Sequence, residues 1–161
     1  MLSVCKSTSI FSLTNSREVV QDEFARELLD LWQTRHLNGT IYTYSLYTMI
    51  VGFLLVEKKS DEWIIRGTWV AEWCRGKGVG ARMMQDLLSD FSGCSKIHYI
   101  FVNITPGAEG FYTKFGFNIW GWRTDLEEEM AVGTYSNVQA DLEQTRTAAY
   151  FLGRFRSAVS K

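Results

Sequence analysis

The chain has few of the residues that mark secreted, membrane-spanning or metal-dependent proteins. Of its 161 residues, three are cysteines and two are histidines. Cys5, Cys74 and Cys94 are an odd number at scattered positions, which gives no zinc-site spacing and indicates a reducing compartment. The longest apolar run, 49–56, is far too short to cross a bilayer. We therefore expect a cytoplasmic protein with no metal and no membrane partner.

The chain also has little proline and a net charge close to zero. Pro106 is the single proline, and no proline-rich or serine-rich linker divides the chain. The formal net charge of −1 is a weak argument against a nucleic-acid or membrane partner. An apolar share of 46% and a charged share of 22% are ordinary for a soluble globular protein. At this length one domain is the simplest expectation, with enough chain to bury a core.

Glycine, by contrast, is concentrated in residues 75–80, which read Arg-Gly-Lys-Gly-Val-Gly. An apolar, β-favouring segment, 63–70, precedes this stretch. Apolar residues follow it with helical spacing, at positions 83, 84, 87, 88 and 91. This pattern predicts a strand, a glycine-rich turn and a helix in succession.

Such a turn suits a phosphate or pyrophosphate ligand. Glycines let the backbone bend sharply and bring its N–H groups close to a ligand. The start of a helix adds free N–H groups and the positive end of the helix dipole. Arg75, Lys77 and Arg82 contribute positive charge. A P-loop would need Ser or Thr after Lys77, and a dinucleotide site would need a different glycine spacing. A plain glycine-rich turn with surface charges stays open on these residues alone.

A second stretch narrows the choice. The pattern Arg75-x-x-Gly78-x-Gly80 resembles the acetyl-CoA loop of the GNAT superfamily of N-acetyltransferases. Residues 108–117 read Ala-Glu-Gly-Phe-Tyr-Thr-Lys-Phe-Gly-Phe. They resemble that family's other hallmark, Ala-x-x-Phe-Tyr-x-Lys-x-Gly-Phe. The two stretches follow each other in the family's order, with one helix and one strand between them, and the resemblance covers about residues 40–136.

The resemblance implies an α/β (α+β) fold with a mixed, mostly antiparallel sheet of six to seven strands flanked by helices, over residues 1–136. The sequence patterns predict strands within 3–12 and at 41–45, 49–58, 62–70, 97–102, 117–122 and 130–135. Helices are predicted after a capping box at Asn15 and Glu18, after the glycine turn, and at 106–115.

Beyond the family's usual end, apolar residues recur on one helical face of 138–159. We therefore expect residues 137–161 to form a C-terminal amphipathic helix. This helix would pack on the domain or on a partner subunit, as in a homodimer.

The resemblance also implies an acyltransferase that moves an acetyl group from acetyl-CoA to a primary amine by direct attack in a ternary complex. The residues that it assigns to CoA are Trp69, Val70, Arg75, Gly76, Lys77, Gly78, Val79, Gly80 and Asn103. Main-chain groups near Trp69 and Val70 would bind the pantetheine and the acetyl carbonyl, where a fixed N–H stabilises developing charge. Tyr112 matches the family tyrosine that acts as general acid to the CoA thiolate.

The acceptor and the general base stay open. A lysine has a pKa of about 10.4, so holding it neutral at pH 7 costs roughly 4 to 5 kcal/mol. Glu62 or Glu72 could supply a base, directly or through water. A protein lysine, an N-terminus, aminoacylated RNA and a small amine all remain candidate acceptors.

Two other classes of function also stay open. One is a non-catalytic CoA-binding regulatory module on the same fold. The other is an interaction protein that works through its C-terminal helix. The pairing of an intact glycine turn with Tyr112 favours the enzyme.

Overall fold

The structure, a computed structural model, describes residues 1–94, 97, 99–104, 107–123 and 130–136. The chain divides into two compact units, Met1–Ile97 and His98–Lys161. The helix expected at 138–159 lies outside the described residues, as do Pro106 and the acidic run at 127–129. None of the helices in the described part has the length and apolar character needed to cross a bilayer.

The first unit is a four-stranded sheet with helices. Its elements are β1 (Leu2–Ser7), α1 (Phe11–Thr14), α2 (Arg17–Val20), α3 (Glu23–Thr34), β2 (Gly39–Leu46), β3 (Met49–Lys58), β4 (Glu62–Val70), a single 3₁₀ turn (Glu72–Cys74) and α4 (Val79–Ser92). The strands pair in sequence order, each antiparallel to the next. Leu46 pairs with Met49, so a two-residue turn joins β2 to β3, and Tyr47 takes a left-handed conformation there with φ of 57°.

Helices α3 and α4 cover opposite faces of this sheet. A Cβ atom on Gly52 of β3 would meet Met83 of α4, whereas one on Gly67 of β4 would meet Leu28 of α3. Gly67 pairs with Leu55, and residues 52 and 55 of one strand point to opposite faces because their side chains alternate. The α4 face is filled by large side chains with no exposed surface: Tyr42, Tyr44, Met83, Met84, Leu87 and Phe91.

The helical region before β2 differs from the expectation. The expected capping box at Asn15 does not form, because the Asn15 amide donates to the Phe11 carbonyl at 2.9 Å. Asp22 is the residue that caps α3, and its side chain accepts from the Ala25 N–H at 2.9 Å. The buried side of α3 is Ala25, Leu29 and Trp32.

From the sequence, one apolar helical stripe is predicted at Val20, Phe24, Leu28, Leu31 and Trp32. In the structure this stripe is only partly buried. Val20, Phe24 and Leu31 are 45%, 50% and 49% exposed. Residues 24, 28 and 31 and residues 25, 29 and 32 form two parallel stripes on one helix, one residue apart. Both have helical spacing. Ala25, Leu29 and Trp32 of the second stripe are buried, and Leu28 of the first also approaches the sheet, next to Gly67 of β4.

The second unit contains β5 (Tyr99–Ile104), α5 (Glu109–Lys114), β6 (Asn118–Arg123) and β7 (Met130–Ser136). Strand β7 pairs antiparallel with both β5 and β6. Gly116 ends α5 with a φ of 94°, as the sequence predicts. The described residues form seven strands, with antiparallel pairing within each unit and helices around them, so the fold class expected from the sequence is confirmed.

Candidate active site

The end of β4 turns sharply into the glycine-rich stretch. The Ala71 N–H donates to the Val51 carbonyl at 2.8 Å, which keeps the chain on β3 for one residue after β4 ends. The Cys74 N–H then donates to the Ala71 carbonyl, also at 2.8 Å. Cys74 has no exposed surface, so its side chain packs in the interior beneath the turn, which indicates a structural role for this cysteine.

Two glycines of the turn adopt left-handed backbone conformations. Gly76 has a φ of 77° and Gly78 a φ of 88°, values that side chains other than glycine rarely adopt. A Cβ atom on either residue would meet no atom within 4 Å. Glycine is thus required here for backbone conformation, and the space beside it is open to a ligand.

Helix α4 begins at this turn without a side-chain cap. Gly78 is its N-cap residue, no side chain caps the helix, and no acidic residue lies in its first turn. The first helical bond runs from the Arg82 N–H to the Gly78 carbonyl at 3.0 Å. Helical geometry therefore leaves the N–H groups of residues 79–81 without intrahelical partners, at the positive end of the dipole. This arrangement can hold an anion.

Gly52 lets α4 approach the sheet closely. A Cβ atom there would lie 2.5 Å from Met83 Cε and 2.9 Å from the Trp69 carbonyl oxygen. No role for Gly52 is predicted from the sequence. The available signal was a glycine within the apolar run 49–56, which often marks a close backbone approach.

The basic residues of the turn are held to different degrees. Arg75 is exposed, and its Nε donates to the Val70 carbonyl at 3.2 Å. Lys77 is also exposed, with its ammonium 5.8 Å from the centre of the half-exposed Trp73 ring. Arg82, on the first turn of α4, pairs with Asp86 at 3.1 Å.

Trp69 and Val70 lie where the sequence placed them, at the end of β4 beside the turn. The Trp69 ring stacks on Phe53 with 5.4 Å between ring centres and is 3% exposed. Its indole N–H is buried without a hydrogen-bond partner in the described part of the chain. The Val70 carbonyl accepts from Arg75, so one acceptor at the end of β4 is already engaged.

The two candidate bases lie far apart. Glu72 is exposed on the 3₁₀ turn, directly between β4 and the glycines. Glu62 is 5% exposed and opens β4, eight residues before Val70. At about 3.3 Å per residue, these two ends of the strand are roughly 26 Å apart. The structure therefore places Glu72, and not Glu62, beside the glycine turn.

Tyr112 and Asn103 belong to the second unit. Tyr112 lies on α5, is 7% exposed, and makes edge contacts with Phe111 and Phe117 at 5.2 and 5.5 Å between ring centres. Asn103 is exposed and pairs with Val132 of β7. Strand β5 continues one residue beyond Asn103, to Ile104, so Asn103 does not end the strand as expected. Among the described residues, no cluster of three or more His, Cys, Asp or Glu could hold a metal ion.

Comparison with known families agrees with this geometry. A family model described as "Acetyltransferase (GNAT) domain" matches residues 38–119, just over half of the chain. The match runs from the start of β2 into β6 and includes the glycine turn and α5. The chain belongs to the GNAT family of acetyltransferases, and it is an acyltransferase.

Solved structures share the fold. A GNAT family acetyltransferase from Elizabethkingia anophelis with acetyl-CoA bound has a TM-score of 0.64 and 16% identity, over 84% of this chain and 97% of that one. The ribosomal-protein-S18-alanine N-acetyltransferase from Escherichia coli has a TM-score of 0.66 and 12% identity, over 88% and 99%. Arabidopsis thaliana Naa50, in complex with the bisubstrate analogue CoA-Ac-MVNAL, has a TM-score of 0.60 and 17% identity, over 83% and 99%. No curated protein matches the chain.

Proposed function

We propose that the chain transfers the acetyl group of acetyl-CoA to a primary amine by direct attack within a ternary complex. The observation that carries this proposal is the uncapped start of α4, preceded by two left-handed glycines with open space beside them. Family membership and the CoA ligands of two relatives with the same fold support the choice of acetyl-CoA as the anion-bearing ligand.

The pyrophosphate of acetyl-CoA would bind at residues 75–80. The N–H groups of Val79 and Gly80 lack intrahelical partners and would donate to its oxygens. Lys77 is exposed and has no ion pair in the described part of the chain, so its ammonium can add a charge-assisted contact. Arg75 would contribute charge while its Nε keeps the turn tied to β4.

The thioester would lie along the end of β4. In this proposal main-chain groups at Trp69 and Val70 hydrogen-bond the pantetheine and the acetyl carbonyl, and Asn103 contacts the pantetheine arm. Charge grows on the carbonyl oxygen as the amine attacks, so a donor fixed there before the reaction lowers the barrier. The buried Trp69 ring stacks on Phe53 and keeps this part of the strand in place.

The chemical step needs two proton transfers. The lone pair of the neutral amine attacks the acetyl carbon, the C–S bond breaks, and the amine nitrogen gives up a proton to a base. Tyr112 donates its phenolic proton to the departing thiolate. A phenol with a pKa near 10 can protonate a thiolate of comparable basicity. Burial of Tyr112 among Phe111 and Phe117 supports this role, because packed rings fix the direction of the hydroxyl.

Glu72 is the base candidate that the geometry favours, since it borders the glycine turn. It is exposed, so water can reach it and relay a proton. An N-terminal amine, with a pKa of about 7.7–8.0, needs much less help from a base than a lysine does. One relative is a ribosomal-protein-S18-alanine N-acetyltransferase, and another is in complex with the bisubstrate analogue CoA-Ac-MVNAL. They support an amine acceptor here, and a lysine, an aminoacylated RNA or a small amine remain alternatives.

A panel assay tests the proposed function. The protein is mixed with acetyl-CoA and a thiol reagent, and CoA release is followed with peptides bearing free N-termini, lysine peptides with blocked N-termini, aminoacylated RNA and small amines. We expect amine-dependent CoA release with at least one class, and a mass increase of one acetyl group on that amine. Binding of CoA without release for any class would instead support a non-catalytic module.

We also propose a cytoplasmic location, supported by three cysteines that form no disulfide.

A further inference from the structure

Asp86 of α4 receives hydrogen bonds from two sides. The Tyr44 hydroxyl of β2 donates to Asp86 Oδ2 at 2.8 Å. The Arg82 Nε donates to both carboxylate oxygens at 3.1 Å. Hydrogen bonds thus connect three side chains in series: Tyr44 on the sheet, Asp86, and Arg82 on the first turn of α4.

Tyr44, the first residue of this hydrogen-bonded series, is a fixed donor. The Tyr44 side chain has no exposed surface. Burial raises the pKa of Tyr44, and the hydrogen bond to Asp86 raises it further. The phenol therefore stays protonated at any physiological pH and always donates to Asp86 Oδ2, an oxygen that also accepts from the Arg82 Nε.

Arg82, the last residue of this series, has N–H groups that make no hydrogen bond in the described part of the chain. Arg82 makes the first helical bond of α4, to the Gly78 carbonyl, so it lies one helical turn from the glycines. Only its Nε is engaged. Within the described part of the chain, both Nη groups lack hydrogen-bond partners, and the side chain is 42% exposed. A guanidinium has five N–H donors, so four remain available to a ligand.

A second contact of the same kind lies one helical turn farther from the glycines. There too a tyrosine of β2 donates to an aspartate of α4, but no arginine among the described residues takes part. The Tyr42 hydroxyl donates to Asp90 Oδ2 at 2.6 Å, and Lys6 of β1 pairs with the same carboxylate at 3.0 Å. Tyr42, like Tyr44, has no exposed surface. Each contact attaches α4 to β2, but only the contact through Asp86 leads back to the glycine turn.

We propose that Tyr44 and Asp86 are positioning residues that hold Arg82 ready to bind a phosphate oxygen of acetyl-CoA at the start of α4. This inference rests on the proposed function. An arginine that is already oriented loses less side-chain entropy on binding, so the gain from each hydrogen bond to phosphate is larger. The free Nη edge matches the geometry of a phosphate, which a lysine cannot reproduce.

Tyr44→Phe is the informative variant. Removing the Asp86 carboxylate would loosen Arg82 but also free its positive charge, and these two changes act on phosphate affinity in opposite directions. Tyr44→Phe changes no charge and keeps the buried ring. It removes only the hydroxyl that fixes Asp86. Tyr42→Phe is its matched control, because it removes the same kind of bond from the neighbouring contact.

The test is a double-mutant cycle read by calorimetric titration with CoA, alongside melting temperatures. Arg82→Ala should raise the Kd about 10- to 100-fold, as expected for a lost charge-assisted hydrogen bond. Tyr44→Phe should raise it about 3- to 10-fold, and should add nothing to the Kd of Arg82→Ala. Tyr42→Phe should lower the melting temperature as much as Tyr44→Phe does and leave the Kd unchanged.

Three results would overturn the inference: an unchanged Kd in Tyr44→Phe, an equal loss of affinity in Tyr42→Phe, or a full Tyr44→Phe effect in the Arg82→Ala background. Arg82→Lys gives a check that does not disturb the core. It keeps the charge but has no Nε to bond Asp86, so its Kd should approach that of Arg82→Ala, and wild-type affinity would contradict the proposal. If the wild-type protein does not bind CoA at all, the proposed function itself fails.

Discussion

Gly52 of β3 and Met83 of α4 are so close that a single added carbon would not fit between them. A Cβ atom on Gly52 would lie 2.5 Å from Met83 Cε, and it would also lie 2.9 Å from the Trp69 carbonyl oxygen. The methionine side chain can move, but the Trp69 carbonyl belongs to the backbone of β4, which is hydrogen-bonded to β3 and cannot move as easily. The position of the first turns of α4, and thus of the glycine turn, depends on this missing side chain.

Gly52→Ala should therefore destabilise the protein and weaken CoA binding together. Overpacking of this kind costs about 1–3 kcal/mol, and the displaced helix start would carry its N–H groups away from the ligand. Chemical denaturation and CoA titration would measure the two effects. Gly110→Ala is a suitable control, since a Cβ there meets nothing within 4 Å. If Gly52→Ala behaved like Gly110→Ala in both measurements, the close approach would have no role in positioning α4.

Tyr112→Phe should lower turnover far more than CoA affinity. The hydroxyl acts on a thiolate that forms only as the C–S bond breaks, so ground-state binding hardly registers its loss. General acid catalysis contributes about a hundredfold or more, which sets the expected fall in kcat. Steady-state kinetics with the amine found in the panel assay would measure it. Tyr135→Phe, in the same unit, serves as the control, and equal kcat values for Tyr112→Phe and wild type would remove Tyr112 from the mechanism.

Asp90 should make the stability of the first unit depend on pH. Burial acts to raise the pKa of Asp90, but the hydrogen bonds from Tyr42 and Lys6 outweigh it, and the pKa is lowered from its ordinary value of 3.8. A carboxylate with a lowered pKa in the folded state contributes stability that is present above the unfolded pKa. That contribution is lost as the pH falls through the folded pKa.

Asp90→Asn should accordingly lower the free energy of unfolding at pH 7 by about 1 kcal/mol. The magnitude is modest because Lys6 and Asp90 are 46% and 31% exposed. The difference from wild type should shrink as the pH falls below the ordinary value of 3.8 and disappear once the pH is below the lowered pKa of the folded state. Asp30→Asn, at an exposed position on α3, is the control. A difference that stays constant from pH 7 to pH 2 would show that the charge of Asp90 does not stabilise the fold.

Residues 137–161 need a separate test, because they lie outside the described residues. We propose that they form an amphipathic helix whose apolar stripe is buried. Truncation after Asn137 should then lower the melting temperature or change the oligomeric state measured by light scattering. Burying one large apolar side chain contributes about 1.5–3 kcal/mol, so the loss of several would be readily measured. A truncated protein with unchanged melting and mass would refute this proposal.

The sequence predicts the strands around the glycine turn well. Strands β3 and β4 begin and end where the pattern places them, at 49–58 and 62–70. Both are apolar runs ended by charged or turn-forming residues, so local sequence decides their bounds. The glycine turn is equally local: two of its glycines take conformations that other residues avoid.

The local sequence is a weaker guide to where α3 begins and which of its faces is buried. Asn15 and Asp22 are both good N-cap residues, and each is followed by a helical apolar pattern. The choice of Asp22 depends on which face meets the sheet, and that contact is made by strands far along the chain. The same contact with distant strands decides that Phe24 and Leu31 are exposed while Ala25 and Leu29 are buried.

The contacts that position the candidate site are the least predictable from sequence. Tyr44 and Asp86 are 42 residues apart, and Tyr42 and Asp90 are 48 apart. No pattern within either element indicates the pairing, which depends on the register of β2 and the rotation of α4 on the sheet. Gly52 is a related case, because its role is visible only once Met83 and Trp69 are in place.

Calorimetric titration of Gly78→Asn with CoA tests whether the glycine turn binds acetyl-CoA. Asparagine tolerates left-handed backbone better than most residues, so the turn should keep its shape. Its side chain would occupy the open space beside Gly78, where we propose that a phosphate of the ligand binds. Gly107→Asn is the matched control, since Gly107 has a φ of 90° and equally open surroundings in the other unit. We predict that the Kd for CoA rises at least about tenfold in Gly78→Asn, the equivalent of one lost hydrogen bond to a charged group, and is unchanged in Gly107→Asn. Wild-type affinity in a folded Gly78→Asn protein would contradict the assignment of the site.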